Sequence, residues 1–310
     1  MSEHNIVSVS GGKDSTALLL LAIERQPDNL QAVFADTGNE HQITYDYVQY
    51  LNDTVFPIRT VKADFTRLMA GKREYIAKHW AAKGVPAEVV ERAISAIQPT
   101  GNPFLDLCLW KGMFPSRTRA FCSEELKRNP IMRDVQNPLL DQGDDVISWQ
   151  GVRRDESIRR ATLSEREHKL TSKSGGELWN YRPILDWTAE DCFAMHKKHG
   201  IKHNPLYEQG MGRVGCMPCI NCRKSELLEI SKRFPDAIDR IEAWESAVAL
   251  ASKVGESSFF PDPDRQKGKE MRGVRNMVRW AQTGRGGIQF DMLNMMDDGP
   301  LCSSIYGLCE

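Results

Sequence analysis

The chain has 310 residues, and its composition and charge already exclude several classes of protein. Hydrophobic residues make up 41% and charged residues 27%, which excludes bulk disorder and allows a packed core. Because 41 Lys and Arg balance 42 Asp and Glu, a polyanionic partner would have to bind a local patch. The longest apolar run, Ala17 to Ile23, is too short for a bilayer, and no secretion signal is recognised at the start. We therefore expect a cytoplasmic protein without membrane contact.

Strands and helices alternate in the first part of the predicted structure. Apolar runs over 5–10, 30–35 and 56–61 are typical of buried strands, and helical periodicity follows the first two, over 14–25 and up to about residue 51. A late strand is predicted over 146–151. Strands that alternate with helices pair in parallel through right-handed crossovers. The sequence therefore predicts an α/β fold with a doubly wound, mostly parallel sheet.

The pattern changes from Ala189 onward, where helices replace the alternation of strands and helices, and one long helical stretch already lies before it. Helical periodicity covers residues 65–97, 190–199 and 224–252. Glycine and proline punctuate residues 100–115, which we interpret as a loop region. We predict a nucleotide-binding α/β domain over 1–188 and a helical region with a cysteine cluster and a basic segment over 189–310.

A glycine-bearing run between the first strand and the first helix is the strongest functional signal. Its residues are Ser10, Gly11, Gly12, Lys13, Asp14 and Ser15. Glycines let the backbone turn tightly and approach an anion, and the free N–H groups of a helix start bind phosphate. Lys13 adds a positive charge, the two serine hydroxyls can donate to phosphate oxygens, and Asp14 can cap the helix or help to hold Mg²⁺. The GxxxxGK[ST] spacing of a Walker loop is absent.

Polar residues also follow the second and the late strand. Asp36 and Thr37 end the second strand, and the carboxyl ends of parallel strands form the ligand crevice, so we expect both to face the same nucleotide. Capping of the next helix is the alternative for Asp36. After the late strand come four arginines, Arg153, Arg154, Arg159 and Arg160. They would neutralise pyrophosphate or hold an acceptor phosphate, or they pair with nearby acids.

Three cysteines crowd into seven residues: Cys216, Cys219 and Cys222. Such spacing suits an iron–sulfur cluster, while a zinc site or no metal at all remain the alternatives. Near the C-terminus, Arg272, Arg275 and Arg279 fall on one face of a predicted helix, a stripe that would bind a nucleic-acid backbone. Trp280 beside it would stack on a base or belong to the core.

Taken together, the motifs resemble the phosphoadenosine phosphosulfate (PAPS) reductase-like family of the PP-loop ATP pyrophosphatase superfamily. The run over 10–15 is similar to the PP-loop SGGxDS. The other matching segments are Asp36-Thr37-Gly38, residues 119–122 with Lys127 and Pro130, residues 151–157 (similar to GxRxxES), 182–187, 204–207 and 215–219.

The resemblance implies an adenine nucleotide alpha hydrolase-like fold and cleavage of ATP between its α and β phosphates. It implies ATP and Mg²⁺ as cofactors, with Lys13, Asp14, Arg153 and Arg154 catalytic and Gly151 added to the nucleotide-binding residues. It also makes Cys122 the fourth ligand of a [4Fe–4S] cluster with the three clustered cysteines.

One departure favours a particular branch of the family. Sulfonucleotide reductases carry a degenerate phosphate loop and a Glu-Cys-Gly-Leu-His tail, whereas this chain keeps SGGKDS and ends with Cys302 to Glu310. The intact loop is similar to the ATP pyrophosphatase component of DNA phosphorothioation systems. This similarity implies a DNA backbone phosphate as acceptor and a cysteine desulfurase as sulfur donor, and a homo-oligomer is left open. The alternatives are a PAPS-type reductase, a tRNA thiolase and a nucleotide-binding module without turnover.

Overall fold

The computed structural model describes residues 2–260, 273–284 and 304–308. Six strands of this part form one sheet: β1 (Glu3–Val9), β2 (Leu30–Asp36), β3 (Ile58–Lys62), β4 (Asp145–Trp149), β5 (Arg166–Thr171) and β6 (Glu177–Tyr181). The strand order is β3-β2-β1-β4-β6-β5, and every neighbouring pair is parallel except β5 with β6. The predicted α/β, doubly wound, mostly parallel fold is confirmed. Its order reverses between β1 and β4, where such sheets bind ligands.

Nine helices of eight or more residues occur in the described ranges. They are α1 (Lys13–Arg25), α2 (Gln42–Thr54), α3 (Thr66–His79), α4 (Ala87–Ala96), α5 (Pro103–Lys111), α6 (Ala189–Lys198), α7 (Lys224–Arg233), α8 (Pro235–Ala251) and α9 (Val274–Ala281). None of them is long and apolar enough to cross a membrane. Short 3₁₀ turns lie at Ala81–Lys83, Arg154–Glu156 and Pro205–Tyr207, and one α turn lies at Ile158–Ala161.

A further helical stretch, called segment 121–140 below, mixes two kinds of turn. Its α turns cover Phe121–Ser123, Asn129–Ile131 and Asn137–Leu140, and its π turns cover Glu124–Arg128 and Met132–Gln136. A π turn has one residue more than an α turn, and such turns are frequent at functional sites. Segment 121–140 covers one face of the sheet, where Ile131 and Val135 pack against Ile6 and Val33.

The prediction of a loop over 100–115 is wrong, because helix α5 occupies its centre. The Asn102 side chain caps this helix by accepting a 3.0 Å hydrogen bond from the N–H of Leu105, and Pro103 occupies the first turn, where its missing donor costs nothing. Gly112 ends the helix with a positive φ of 67°. The Gly and Pro residues were therefore the boundaries of a helix and not the signs of a loop.

The hairpin of β5 and β6 and one helix break were not predicted. Strand β5 is an edge strand whose residues are mostly exposed and charged, so it lacks the apolar alternation of a buried strand. The helical stretch over 224–252 divides at Phe234, because Pro235 begins a new helix.

Two apolar layers pack against the two faces of the sheet, and a third apolar cluster lies beside the sheet. Helices α1 and α6 cover the face that carries Val7 and Trp149, opposite segment 121–140. The third and largest cluster joins helices α3 to α5 with α7 to α9. The division of the chain at residue 188 stays a prediction.

Candidate functional site

The bend between β1 and α1 needs its glycines. Gly11 has a φ of +74°, and a Cβ there would lie 3.0 Å from Cγ2 of Thr44. A Cβ on Gly12 would lie 3.3 Å from the Tyr207 hydroxyl. Since a side chain at either position would meet a packed neighbour, the bend is possible only for residues without one.

The two serines of the bend hold it in shape. The Ser10 N–H donates to Oγ of Ser15 at 3.1 Å, and the Ser15 hydroxyl donates to the Gly12 carbonyl at 3.0 Å. The N–H groups of Asp14 and Ser15 carry no hydrogen bond within the described residues. They stand at the positive end of the α1 dipole, which favours an anion.

Lys13 is buried beneath two tyrosines. Its side chain is 3% exposed, and its Nζ lies 5.4 Å from the ring centre of Tyr207 and 5.1 Å from that of Tyr306. The same Nζ lies 3.3 Å from Oδ2 of Asp14. A desolvated ammonium between two rings is stabilised by cation–π attraction and by its carboxylate neighbour.

Asp14 is surrounded by groups from the loop after β4 and from helix α6. Nε of Arg153 lies 2.7 Å from its Oδ1, and the Cys192 thiol donates to that oxygen at 3.3 Å. Burial, and then the charge of Asp14, raise the pKa of the Cys192 thiol, so it stays a protonated donor. A Cβ on Gly151 would lie 3.3 Å from the backbone of Asp14. The structure thus brings together the predicted residues Lys13, Asp14, Gly151 and Arg153.

A cavity of about 760 Å³, called the nucleotide cavity below, opens at this bend. It lies between the carboxyl halves of the strands and segment 121–140, and Ser10, Gly12, Lys13, Asp14, Ser15 and Gly151 all line it. Six cationic side chains line it, against the three carboxylates of Asp14, Glu40 and Glu156. The cationic residues are Lys13, Lys127, Arg128, Arg160, Lys169 and Arg213. The excess of positive charge suits an anionic ligand.

Five residues predicted for the nucleotide site lie outside the lining of this cavity: Gly11, Asp36, Thr37, Arg153 and Arg154. Arg154 binds the Asp186 carboxylate at 2.6 Å and the carbonyls of Ala161 and Leu163, which fixes the loop after β4. Asp36 accepts hydrogen bonds from the Tyr45 hydroxyl at 2.7 Å and lines a separate cavity of about 700 Å³. Thr37 is fully buried; its hydroxyl and its N–H donate to Glu40 at 2.7 and 3.1 Å.

Several cavity residues were not singled out as site residues from the sequence. Glu40, Lys127, Gln136 and Arg213 all line the nucleotide cavity. Only Lys127 lay inside a matched motif, where it could have been added. Glu40 lies two residues beyond Asp36-Thr37-Gly38, and the others come from segments without a motif. The Arg159 side chain, Arg272, Cys302 and Cys309 lie outside the described part.

The clustered cysteines lie next to the nucleotide cavity. Cys216, Cys219 and Cys222 line a cavity of about 100 Å³, and Lys127 and Arg213 line both cavities. Sγ of Cys216 lies 3.4 Å from the Thr37 hydroxyl and 3.8 Å from Oε1 of Glu40. Burial raises the pKa of Cys216 to about 12.

The donors predicted for a metal are of a suitable kind but are not arranged as a metal site. Cys122 packs against the same apolar cluster as Cys219 and Cys222, and burial raises its pKa also. The described ranges contain no group of three or more His, Cys, Asp or Glu side chains placed to hold a metal ion. The structure therefore does not support the cluster, the zinc site or a protein-held Mg²⁺.

One arginine of the basic face of α9 is paired with acids. Arg275 pairs with Asp239 and with Oε2 of Glu242, the latter at 2.9 Å. Trp280 packs against the largest apolar cluster, and Nζ of Lys224 lies 4.7 Å from its ring centre. Trp280 therefore follows its core alternative, Arg275 is held in ion pairs, and Arg279 is exposed.

Comparison with known proteins was decisive for the family. The Phosphoadenosine phosphosulfate reductase domain matches residues 4–222, more than two thirds of the chain. This protein belongs to that family. The match spans the bend over 10–15, the strands of the sheet and all four cysteines of the proposed cluster. Family membership supports a nucleotide-binding, sulfonucleotide-related function.

Two relatives and one solved structure are similar to this chain. The uncharacterized 37.8 kDa protein in the gpa 5' region of Escherichia phage 186 is 49% identical over 328 aligned positions, which cover 100% of this chain and 97% of the phage protein. Adenosine 5'-phosphosulfate reductase of Staphylococcus haemolyticus is 24% identical and covers 69% of each chain. A solved PAPS reductase of Candida auris in a phosphate complex has a TM-score of 0.40 at 16% identity, covering 69% of this chain and 81% of its own.

Proposed function

We propose that this protein is an ATP pyrophosphatase that adenylylates an acceptor oxygen for sulfur insertion. The observation that carries the proposal is the intact bend over 10–15, which opens directly onto a cavity of about 760 Å³ at the switch point of the sheet. Cavities of this size hold small-molecule ligands. The unpaired N–H groups of Asp14 and Ser15 in the described structure would bind the triphosphate.

The cationic side chains of the cavity would stabilise the reaction. An acceptor oxygen attacks the α phosphorus of ATP, the bond to the bridging oxygen breaks, and pyrophosphate leaves with the electron pair of that bond. Lys13, Lys127, Arg160 and Arg213 would offset the charge that develops on the phosphate oxygens. Mg²⁺ would enter with ATP. Arg153 acts through Asp14, which it orients, and is a positioning residue.

The adenylylated acceptor would then exchange oxygen for sulfur. A sulfur nucleophile at the oxidation level of hydrosulfide forms a bond to the activated atom, and AMP leaves with the former acceptor oxygen. The acceptor that we favour is a backbone phosphate of DNA. The sulfur donor is a cysteine desulfurase, whose persulfide a second thiol reduces by two electrons to hydrosulfide, with formation of a disulfide. Both follow from the similarity of the intact phosphate loop to the phosphorothioation branch, and a tRNA base is the alternative acceptor.

The [4Fe–4S] cluster stays a proposal without an assigned step. Cys122, Cys216, Cys219 and Cys222 would hold it, since three of them line one cavity and the fourth packs on the same apolar cluster. Zinc is the alternative occupant.

Product analysis tests this function. Purified protein is incubated with MgATP and with duplex DNA, tRNA or no acceptor, and nucleotides are separated by chromatography. AMP and pyrophosphate, increased by one of the two acceptors, are expected. Release of ADP and inorganic phosphate, or tight ATP binding without any product, would contradict the proposal.

The second candidate is a sulfonucleotide reductase. It is favoured by the family match over 4–222 and by the similarity to an adenosine 5'-phosphosulfate reductase. Release of sulfite from PAPS or adenosine 5'-phosphosulfate with reduced thioredoxin, and no consumption of ATP, would establish this activity instead.

A further inference from the structure

The separate cavity of about 700 Å³, called the second cavity below, has no role in the proposed reaction. It lies at the carboxyl ends of β2 and β3, which contribute Asp36 and Lys62, and the starts of α2, α5 and α8 surround it. Glu40 lines both this cavity and the nucleotide cavity, so the two cavities adjoin each other. A ligand of the second cavity would therefore lie next to the nucleotide.

Arg240 of helix α8 brings a positive charge into the wall of the second cavity. Its Nη2 donates to Oδ1 of Asn39 at 3.1 Å and to the Met217 carbonyl at 2.6 Å, and its guanidinium lies 5.2 Å from the ring centre of Trp244. Among the described residues its Nε is buried without a hydrogen-bond partner, and it forms no ion pair with a carboxylate. Burial lowers the pKa of Arg240, as expected for a desolvated cation. A desolvated charge with an unused donor is unfavourable, so this position favours an anionic ligand.

Three carboxylates also line the second cavity, and two of them are occupied by partners. Asp36 pairs with Lys62 at 3.6 Å, and Glu40 accepts hydrogen bonds from the N–H and the hydroxyl of Thr37. Asp236 is exposed in the first turn of α8 and forms no ion pair in the described part of the chain. Asp236 would repel an anion bound at the guanidinium, so its removal should strengthen binding of that anion.

The starts of α2 and α8 add backbone donors around the same cavity. The N–H groups of Gln42 and Asp236, each in the first turn of its helix, carry no hydrogen bond within the described ranges. Helix starts favour anions, and both backbone N–H groups and arginine bind phosphate oxygens. The other two cations of the lining, Lys62 and Arg233, already pair with acids. One unpaired guanidinium with neighbouring donors fits a single phosphate group.

We infer that the second cavity binds one phosphate group, with Arg240 as its main partner and the N–H groups of Gln42 and Asp236 as further donors. The source of the phosphate is either a phosphodiester of the nucleic-acid acceptor, which would extend past Glu40 from the nucleotide cavity, or a free phosphate or pyrophosphate ion. The first source rests on the proposed function, whereas phosphate binding itself does not.

Calorimetry on the full chain, with and without saturating α,β-methylene ATP, tests this binding site. The probes are inorganic phosphate, pyrophosphate and a short DNA duplex. Arg240→Gln removes the unpaired charge, and Asp236→Asn removes the competing carboxylate. Arg166→Gln is the matched control, because Arg166 is exposed on the edge strand β5 and lines neither cavity. Melting temperatures identify a variant that fails to fold, and Asp236→Asn carries the test if Arg240→Gln does not fold.

The predicted effects of the two variants have opposite signs. Arg240→Gln should weaken binding of at least one probe about tenfold or more, since it removes a charged hydrogen-bond donor, and Asp236→Asn should strengthen binding of the same probe. Weaker binding of phosphate and pyrophosphate identifies a free ion as the ligand, and weaker binding of the duplex alone identifies the acceptor. Affinity for α,β-methylene ATP should be the same in all variants.

Several results would refute the second binding site. They are the absence of binding of every probe to wild type, equal affinities in wild type and both variants, an equal loss in Arg166→Gln, and a parallel loss of α,β-methylene ATP binding in Arg240→Gln. Phosphate binding that depends on Arg240, without pyrophosphate release from MgATP, would refute the proposed function alone.

Discussion

The hydroxyl of Tyr207 accepts a 2.9 Å hydrogen bond from the backbone N–H of Lys13, across 194 positions of sequence. This contact joins the turn Pro205–Tyr207 to the first residue of α1. Tyr207 is 1% exposed, and burial raises its pKa well above the usual value, so its phenol is neutral at physiological pH. The phosphate bend is therefore shaped partly by a residue from the second half of the chain.

Removal of this hydroxyl should destabilise the bend. In Tyr207→Phe the N–H of Lys13 stays buried without its acceptor, which costs about 1–3 kcal/mol. We expect a lower free energy of unfolding in urea and weaker ATP binding. Tyr50→Phe is the control, because the Tyr50 hydroxyl makes only a 3.4 Å contact with the N–H of Lys202. Equal effects of both changes would show that the contact with Lys13 is unimportant.

A comparison of two glycines with the same φ distinguishes the cost of backbone strain from a loss of ATP binding. Gly11 and Gly84 both have a φ of +74°, but a Cβ on Gly84 would meet nothing within 4 Å. Each Gly→Ala change should cost about 1–2 kcal/mol for the left-handed conformation. Only Gly11→Ala adds a clash with Thr44, so only this variant should lose ATP binding by calorimetry. Retained ATP affinity in folded Gly11→Ala would contradict a phosphate-binding role for the bend.

His196 should make stability depend on pH. Its Nε2–H donates to the Lys13 carbonyl at 2.9 Å, and its Nδ1 is buried without a partner among the described residues. Burial lowers the pKa of His196 below the unfolded value of about 6.5, so the unfolded chain takes up a proton first as the pH falls. The free energy of unfolding should decrease from about pH 6.5 downwards.

A variant of His196 tests whether this histidine causes the pH dependence of the free energy of unfolding. His196→Gln keeps a donor for the Lys13 carbonyl but does not titrate, so its stability should vary less between pH 7 and pH 5 in urea titrations. Part of the dependence remains because burial also lowers the pKa of His41. Identical slopes for wild type and His196→Gln would contradict the assignment.

Metal analysis tests the cysteine cluster. If the proposed cluster forms, protein purified without oxygen contains iron and sulfide in equal amounts and absorbs visible light, and Cys219→Ser loses both. Cys108 is fully buried in the largest apolar cluster, so Cys108→Ala controls for loss of a thiol outside the predicted ligand set. Zinc in place of iron would favour the alternative site, and the absence of both metals would exclude a metal role for these cysteines.

The parts of the fold that the sequence predicted are those governed by local patterns. The buried strands β1, β2 and β4 are rich in apolar residues, and the order of strands and helices determined a parallel sheet. Strand β5 was missed because an exposed edge strand carries no such run. Helix α5 was missed because its capping residues Asn102, Pro103 and Gly112 are the same residues that mark loops.

The candidate site, like the fold, could be predicted only where local motifs mark its residues. Lys13, Asp14 and Gly151 lie in motifs and meet at the cavity, whereas the positions of Asp36 and Arg154 were decided by tertiary partners. The Tyr45 hydroxyl and the Asp186 carboxylate hold them away from the lining of the nucleotide cavity. Gln136 could not have been found from a motif, because its place depends on the π turns of segment 121–140.

Pyrophosphate release from MgATP is the most direct test of the account. Wild type, Lys13→Ala, Asp14→Ala and the exposed control Lys78→Ala are compared in a coupled pyrophosphate assay, with folding checked by circular dichroism. We expect release by wild type and Lys78→Ala, and a loss of at least about 100-fold in the two loop variants. Lys13→Ala removes a cation at the reacting phosphate, and Asp14→Ala removes the carboxylate that pairs with Lys13 and Arg153. Equal rates in all four proteins, or no pyrophosphate from folded wild type with any acceptor, would contradict ATP cleavage at this bend.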